Sequence, residues 1–224
     1  MDLSPIIQTV ALFAIPMIFA ITLHEAAHGY VAKYFGDYTA YQAGRISLNP
    51  INHIDPVGTV LIPVALVVFT AGQFVFGWAK PVPVNFGNLR DPKRDMLWVA
   101  AAGPGANLFM ALCWALILKI VVELPGNYFS SPLQQMAQGG VLINLGLMVL
   151  NLIPIPPLDG SHLFYYVLPP ELGARYRSLQ RVGFLILFAL LFLLPGVLNV
   201  FLIPAHWIGA RLLGLVAPYS LSFL

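Results

Sequence analysis

The sequence predicts an all-α polytopic membrane protein, and three observations carry that expectation. Of the 224 residues, 59% are hydrophobic and only 9% are charged, against about 25% charged in soluble domains. The apolar residues gather into runs long enough to cross a bilayer as helix, for which about 20 residues suffice. The basic residues cluster between those runs, as topology signals do. A water-facing shell is not expected, nor a sizeable soluble module. The net charge of +2 is too small to point to nucleic acid, so the expected surroundings are the lipid bilayer. The single cysteine, Cys113, lies in an apolar run, which excludes an intrachain disulfide.

The first helix is expected over residues 5–34, with Gly36 as its stop signal. The N-terminus has no basic n-region and no A-x-A-like cleavage site, so this helix reads as retained. It contains His24-Glu25-Ala26-Ala27-His28. Four-residue spacing places both imidazoles on one face of a helix. In this H-E-x-x-H pattern two neutral imidazoles hold a zinc ion and the carboxylate handles the proton of a bound water. The plain alternative is a chance match with two core histidines. Against it, charged groups inside a membrane span cost roughly 2.5–3.5 kcal/mol each on insertion scales, and a metal ion is the compensating partner that this spacing fits.

Residues 36–56 are polar and turn-rich. Arg45-Ile46-Ser47-Leu48 alternates and is expected as a short strand. His53 and Asp55 have three open roles: capping a helix, contacting the metal, or gating the site. Residues 57–77 are apolar but interrupted by Gly58, Pro63, Gly72 and Gly77. Lys33 and Arg45 precede them; Lys80, Arg90, Lys93 and Arg94 follow. The positive-inside rule places both clusters in the cytoplasm, so a re-entrant or hairpin segment is expected in place of a single crossing. The prolines of Lys80-Pro81-Val82-Pro83-Val84-Asn85 extend the chain. That stretch is either a short β element whose edge pairs with a substrate segment or an ordinary interfacial loop.

A spanning helix is expected over residues 96–122. Its small residues, Ala100 to Ala102 and then Gly103-Pro104-Gly105-Ala106, let a neighbour approach closely. Asn107 is polar at membrane depth, as helix-packing glue or as a ligand for a substrate carbonyl. Residues 123–135 contain no lysine or arginine and so belong outside. Residues 136–150 cross back and lead into Asn151-Leu152-Ile153-Pro154-Ile155-Pro156-Pro157-Leu158-Asp159-Gly160, whose prolines break the helix. If Asp159 faces the first helix it is the third zinc ligand, leaving a fourth position for water; otherwise it caps a helix starting near Ser161. His162 is the rival ligand. Arg175, Arg177 and Arg181 mark a further cytoplasmic loop, residues 182–200 a further span, and residues 206–217 a short interfacial helix anchored by Trp207 and Arg211. His206 is not expected to bind metal. These charges together put the N-terminus outside.

The two motifs together resemble the motif pair of the site-2 protease family of intramembrane zinc metalloproteases. Gly103-Pro104-Gly105-Ala106-Asn107 resembles that family's short motif on the helix between them. Phe76-Gly77-Trp78-Ala79-Lys80-Pro81-Val82-Pro83-Val84-Asn85 is similar to a compact prokaryotic branch without a PDZ or CBS module. The resemblance implies one membrane-embedded metalloprotease domain over residues 1–224, with a three-helix catalytic core and flanking transmembrane helices, in the cell membrane of a prokaryote. It implies one Zn2+ per chain held by His24, His28 and Asp159. Glu25 would be the catalytic acid/base, and Asn151 the catalytic residue that holds the substrate backbone or developing oxyanion. Asn107 would support them. The implied substrate is a transmembrane protein or peptide, cut near the cytoplasmic face. The rival readings are a membrane zinc transporter or regulator without hydrolysis, which the intact Glu25 weakens, and a non-catalytic binder of membrane helices. Substrate identity and oligomeric state stay open.

Overall fold

Helix-forming apolar runs interrupted by proline and glycine give a bundle of helices with short broken links. The computed structural model describes residues 4–69 and 77–217. Helix α1 is Ser4–Tyr34. It ends where the sequence predicts: Gly36 has φ of 105°, a left-handed conformation that glycine adopts without a Cβ penalty. The Asp37 N–H then bonds Ala32 O and the Gly36 N–H bonds Lys33 O, which satisfies the last carbonyls of the helix. A short α2 (Thr39–Gln42) follows, then a 3₁₀ turn at Pro50–His53.

Asp55 caps the next element. Its Oδ1 accepts the N–H groups of Val57 and Gly58, opening a wide helical turn at Pro56–Leu61 that runs into α3, Ile62–Phe69. Residues 70–76, the far part of the expected re-entrant segment, lie outside the described residues. The near parts meet. The Trp78 N–H donates to Gly58 O at 3.0 Å, and the Thr59 hydroxyl to Trp78 O at 2.8 Å. The described ends of this segment are therefore tied side by side.

Helices α4 (Pro92–Glu123) and α5 (Ser130–Asn151) pack on each other and both pack on α1. Close approach is built in. A Cβ on Gly139 would overlap the Phe13 ring and one on Gly140 the Trp114 ring, so α5 lies nearer its neighbours than any larger residue allows. Beyond α5 come α6 (Asp159–Val167), α7 (Pro170–Ser178), α8 (Gly183–Leu193) and α9 (Pro195–Val216). Leu118 of α4, Val141 and Leu145 of α5 and Leu213 of α9 form the main core. Four helices among the described residues are long and apolar enough to cross a membrane: Leu12–Tyr34, Pro92–Glu123, Ser130–Asn151 and Gly196–Val216. This is a multi-pass membrane protein.

Two expectations need correction. The described residues contain no β-strand. Arg45 to Leu48 and the 80–85 stretch are irregular because their polar groups bind elsewhere: the Arg45 guanidinium donates to Lys80 O, the Val82 N–H to Glu25, and the Asn85 N–H to Asp37. Pro81 and Pro83 offer no N–H for a ladder. The last span is also displaced. The chain breaks at Leu194, Pro195 opens a new helix where its missing N–H costs nothing, and residues 206–217 belong to the long α9. Helix α8, 11 residues, is about 16 Å long at 1.5 Å per residue, too short to cross alone.

Candidate metal centre

The site lies where α1, α4 and the start of α6 meet. On α1 the two histidines stand one turn apart, their rings 4.8 Å between centroids. Each is gripped from behind by α4. His28 Nδ1 is 2.7 Å from Val99 O. A carbonyl can only accept, so Nδ1 carries the proton. His24 Nδ1 is 2.6 Å from Asn107 Oδ1. The orientation of that amide is fixed in turn, because its Nδ2 donates to Ala20 O and to Asn144 Oδ1, each at 3.2 Å. Asn144 Nδ2 donates to Gly140 O at 2.8 Å. Assigned from these partners, both imidazoles are Nδ1–H tautomers with the lone pair on Nε2.

Those lone pairs face each other and a carboxylate. The Nε2 atoms are 3.1 Å apart. Asp159 Oδ2 is 3.2 Å from His24 Nε2 and Oδ1 is 3.3 Å from His28 Nε2. Asp159 Oδ2 is buried and has no hydrogen-bond donor. One ligand atom from each of the three residues lies within 4.8 Å of the others, the one such group among the described residues. Converging acceptors with no proton between them need a positive charge at their centre. A proton would satisfy one pair; a divalent cation satisfies all three. Two nitrogens and one carboxylate are a donor set that fits Zn2+.

Local folding brings Asp159 here. Helix α5 stops at Asn151, the proline-rich turn reverses the chain, and Asp159 is the first residue of α6. Leu158 and Ile153 bury themselves against Leu187 of α8, and the Tyr176 hydroxyl donates to Pro154 O at 2.9 Å. Asp159 does not cap α6: Leu158 is the N-cap residue and no side chain bonds there.

Glu25 lies beside the histidines, its Oε2 accepting the Val82 N–H at 2.8 Å. A cavity of about 290 Å³ is lined by His24, His28, Asp159, Glu25 and Asn151. A second, mostly apolar cavity of about 440 Å³ is lined by Ile21, Trp78, Leu147 and Phe184. Glu25 and Asn151 line both. The Asn151 side chain donates back to Leu147 O at 3.0 Å. His162 lines the first cavity but lies outside the metal-spaced group, its ring 4.9 Å from that of Phe86. Burial pushes the His162 imidazole below its ordinary pKa; Asp159 opposes this and Arg177 adds to it. His53 is away from the centre, with Nε2 2.8 Å from Ser47 O.

Sequence reasoning missed Asn144, Val99 and the Val82 amide, and it marked Gly103 as a close-approach residue without placing it against the histidines. Asn144 carried a signal: it is a polar residue at membrane depth, two helical turns before Asn151. Val99 and Val82 act through a backbone group, which no side-chain pattern reveals.

The description of Peptidase family M50 matches residues 117–194, which include Asn151 and Asp159. The chain is 39% identical over 185 residues, 81% of this chain and 80% of the relative, to "Putative zinc metalloprotease YwhC" of Bacillus subtilis. It is 29% identical over 192 residues, 84% of this chain and 69% of the relative, to "Putative zinc metalloprotease Rip2" of Mycolicibacterium smegmatis. No solved structure matches significantly. The chain belongs to peptidase family M50, the site-2 proteases, whose zinc its three converging side chains are placed to hold.

Proposed function

We propose that the protein is an intramembrane zinc metalloprotease that hydrolyses peptide bonds of transmembrane substrates near the cytoplasmic face of a prokaryotic cell membrane. The observation that carries this reading is the convergence of His24 Nε2, His28 Nε2 and a donor-free Asp159 carboxylate on one point, with the Glu25 carboxylate lining the same cavity. His24, His28 and Asp159 are the metal ligands. When bound, zinc supplies a Lewis acid that lowers the pKa of water towards ~7 and polarises a carbonyl.

The chain's own groups do the rest. Glu25 accepts the proton of the attacking water and returns it to the leaving amine as the C–N bond breaks. Asn151, at the end of α5 and in the wall of both cavities, holds the substrate backbone or its developing oxyanion. The Nδ1 bonds to Asn107 and Val99 keep both ligands in the required tautomer. A helical substrate must unwind first, because its amides are shielded; the apolar cavity offers lipid-soluble side chains a place while it does. The charge pattern of the loops supports a topology with the N-terminus outside and the site towards the cytoplasm.

The test is purified protein with a single-span peptide. Glu25→Gln keeps its zinc and loses cleavage by at least about a hundredfold, the scale of general acid–base catalysis. Undiminished cleavage would remove Glu25 from the reaction.

A further inference from the structure

Beside the cavity lined by His24, His28 and Asp159 lies a larger one of about 500 Å³. Phe86 and His162 are walls of both, so a substrate segment leaving one enters the other. The larger cavity differs in charge. Lys93 from the first turn of α4 and Arg177 from α7 line it, with Tyr165 and Tyr176, and no acidic residue belongs to its described lining. Both cations are braced. The Arg177 guanidinium bonds the Tyr165 hydroxyl and lies 4.5 Å from the centre of that ring. Lys93 Nζ is 5.7 Å from the centre of the Tyr166 ring. Aromatic faces attract cations at such distances. Topology alone explains basic residues near a membrane surface. It does not explain two of them held against rings around a cavity that adjoins the catalytic one.

We propose that this cavity is a subsite for an acidic side chain on one flank of the scissile bond, and that Lys93 and Arg177 set that preference. The proposal rests on the protease reading above. Its selectivity works in both directions. An acidic flank meets two positive charges in a described lining that holds no carboxylate. A basic flank, common on the cytoplasmic side of membrane proteins, meets like charge and is rejected. The subsite therefore spares the ordinary membrane protein and admits the unusual one.

The test uses zinc-loaded full-length enzyme in neutral detergent and single-span peptides with a helix-breaking Gly-Pro pair near one end. Each peptide is made with Asp, Asn or Lys at successive positions beyond that pair, and cleavage is read by mass spectrometry as kcat/KM. At one or more positions the Asp peptide is expected to be cut about twofold to fivefold faster than the Lys peptide, the upper range of exposed charge pairs. Lys93→Glu combined with Arg177→Glu is expected to reverse the order. Because the readout is a ratio between peptides, a general loss of activity does not imitate it. An order that is absent in wild type, or unchanged on charge reversal, overturns the subsite while the protease reading stands. An effect of the two substitutions seen only when phosphatidylglycerol is added, and equal for all peptides, overturns it in favour of a lipid headgroup. Failure of wild type to cut any peptide faster than Glu25→Gln overturns the protease reading, and the subsite falls with it.

Discussion

A Cβ on Gly103 would stand 2.5 Å from His24 Cε1 and 2.5 Å from His28 Nε2. The backbone of α4 therefore passes directly beside the metal-facing Nε2 atoms of both imidazoles, and only glycine fits. Gly103→Ala is expected to displace the rings at a cost of about 1–3 kcal/mol, the usual scale of overpacking, and to lower zinc content measured on the purified protein. The helices themselves should persist by circular dichroism. Full zinc occupancy with unchanged melting would show that α4 has more freedom than this packing allows.

Asn107 and Asn144 form a chain from the metal centre into α5. Asn107→Ala removes the acceptor that fixes the His24 tautomer and leaves Ala20 O and Asn144 Oδ1 without their donor. A fall of about 10–100-fold in zinc affinity is expected, as for other groups that orient a ligand. Asn144→Leu should have a smaller effect of the same sign, since Asn107 keeps its bond to Ala20. Zinc titration with a competing chelator measures both. Equal affinities in wild type and Asn107→Ala would detach this residue from the centre.

The Val82 amide donates to the Glu25 carboxylate across 57 positions of chain. Val82→Pro deletes that donor in a stretch that prolines already extend, while Val82→Ala keeps it. Peptide cleavage is expected to fall about tenfold or more for the proline variant, as for a lost hydrogen bond to a charged group at ~1.5–3 kcal/mol. Zinc content should match that of the alanine variant. Equal cleavage by the two would show that the amide does not position Glu25.

Asp37 is fully buried just beyond α1. Burial pushes its carboxyl pKa up, but the Thr39 hydroxyl and the N–H groups of Thr39, Asn85 and Asn88 overcome this and hold it below the ordinary value. A depressed carboxyl stabilises the fold fully above the unfolded-state value of about 3.9 and loses that contribution as pH falls through the lower folded value. Asp37→Ala is expected to cost about 1–3 kcal/mol at neutral pH, from partly buried hydrogen bonds to a charged group at ~1.5–3 kcal/mol. The gap in melting temperature from wild type should hold steady between about pH 7 and 5 and close below about pH 4. A gap independent of pH would mean that the ionised form is not what the four donors recognise.

The candidate metal site was legible because ionisable residues are conspicuous in apolar sequence. His24, Glu25, His28 and Asp159 each interrupt or end a hydrophobic run, and the spacing of the histidines already fixes a shared helix face. Asp159 taken in isolation also read as a helix cap, with ligation preferred because two membrane histidines lacked a third partner; the turn through Pro154, Pro156 and Pro157 decides where its carboxylate points. The β element weighed for 80–85 failed because extension by prolines says nothing of where the N–H groups go, and here those of Val82 and Asn85 go to Glu25 and Asp37. The last span was misplaced for a related reason. Hydropathy runs on across Leu194, so Pro195 read as the end of a crossing when it is the start of one.

The stitch between Gly58 and Trp78 has a consequence for how such a protein can change. Everything threaded between two points that are tied together is an excursion with no net displacement. Its length can grow with only a logarithmic loss, about 0.6 kcal/mol per doubling of a flexible loop, and the histidines keep their aim. What the tie protects is the meeting of α1, α4 and the turn before Asp159, which sets the three side chains against one another.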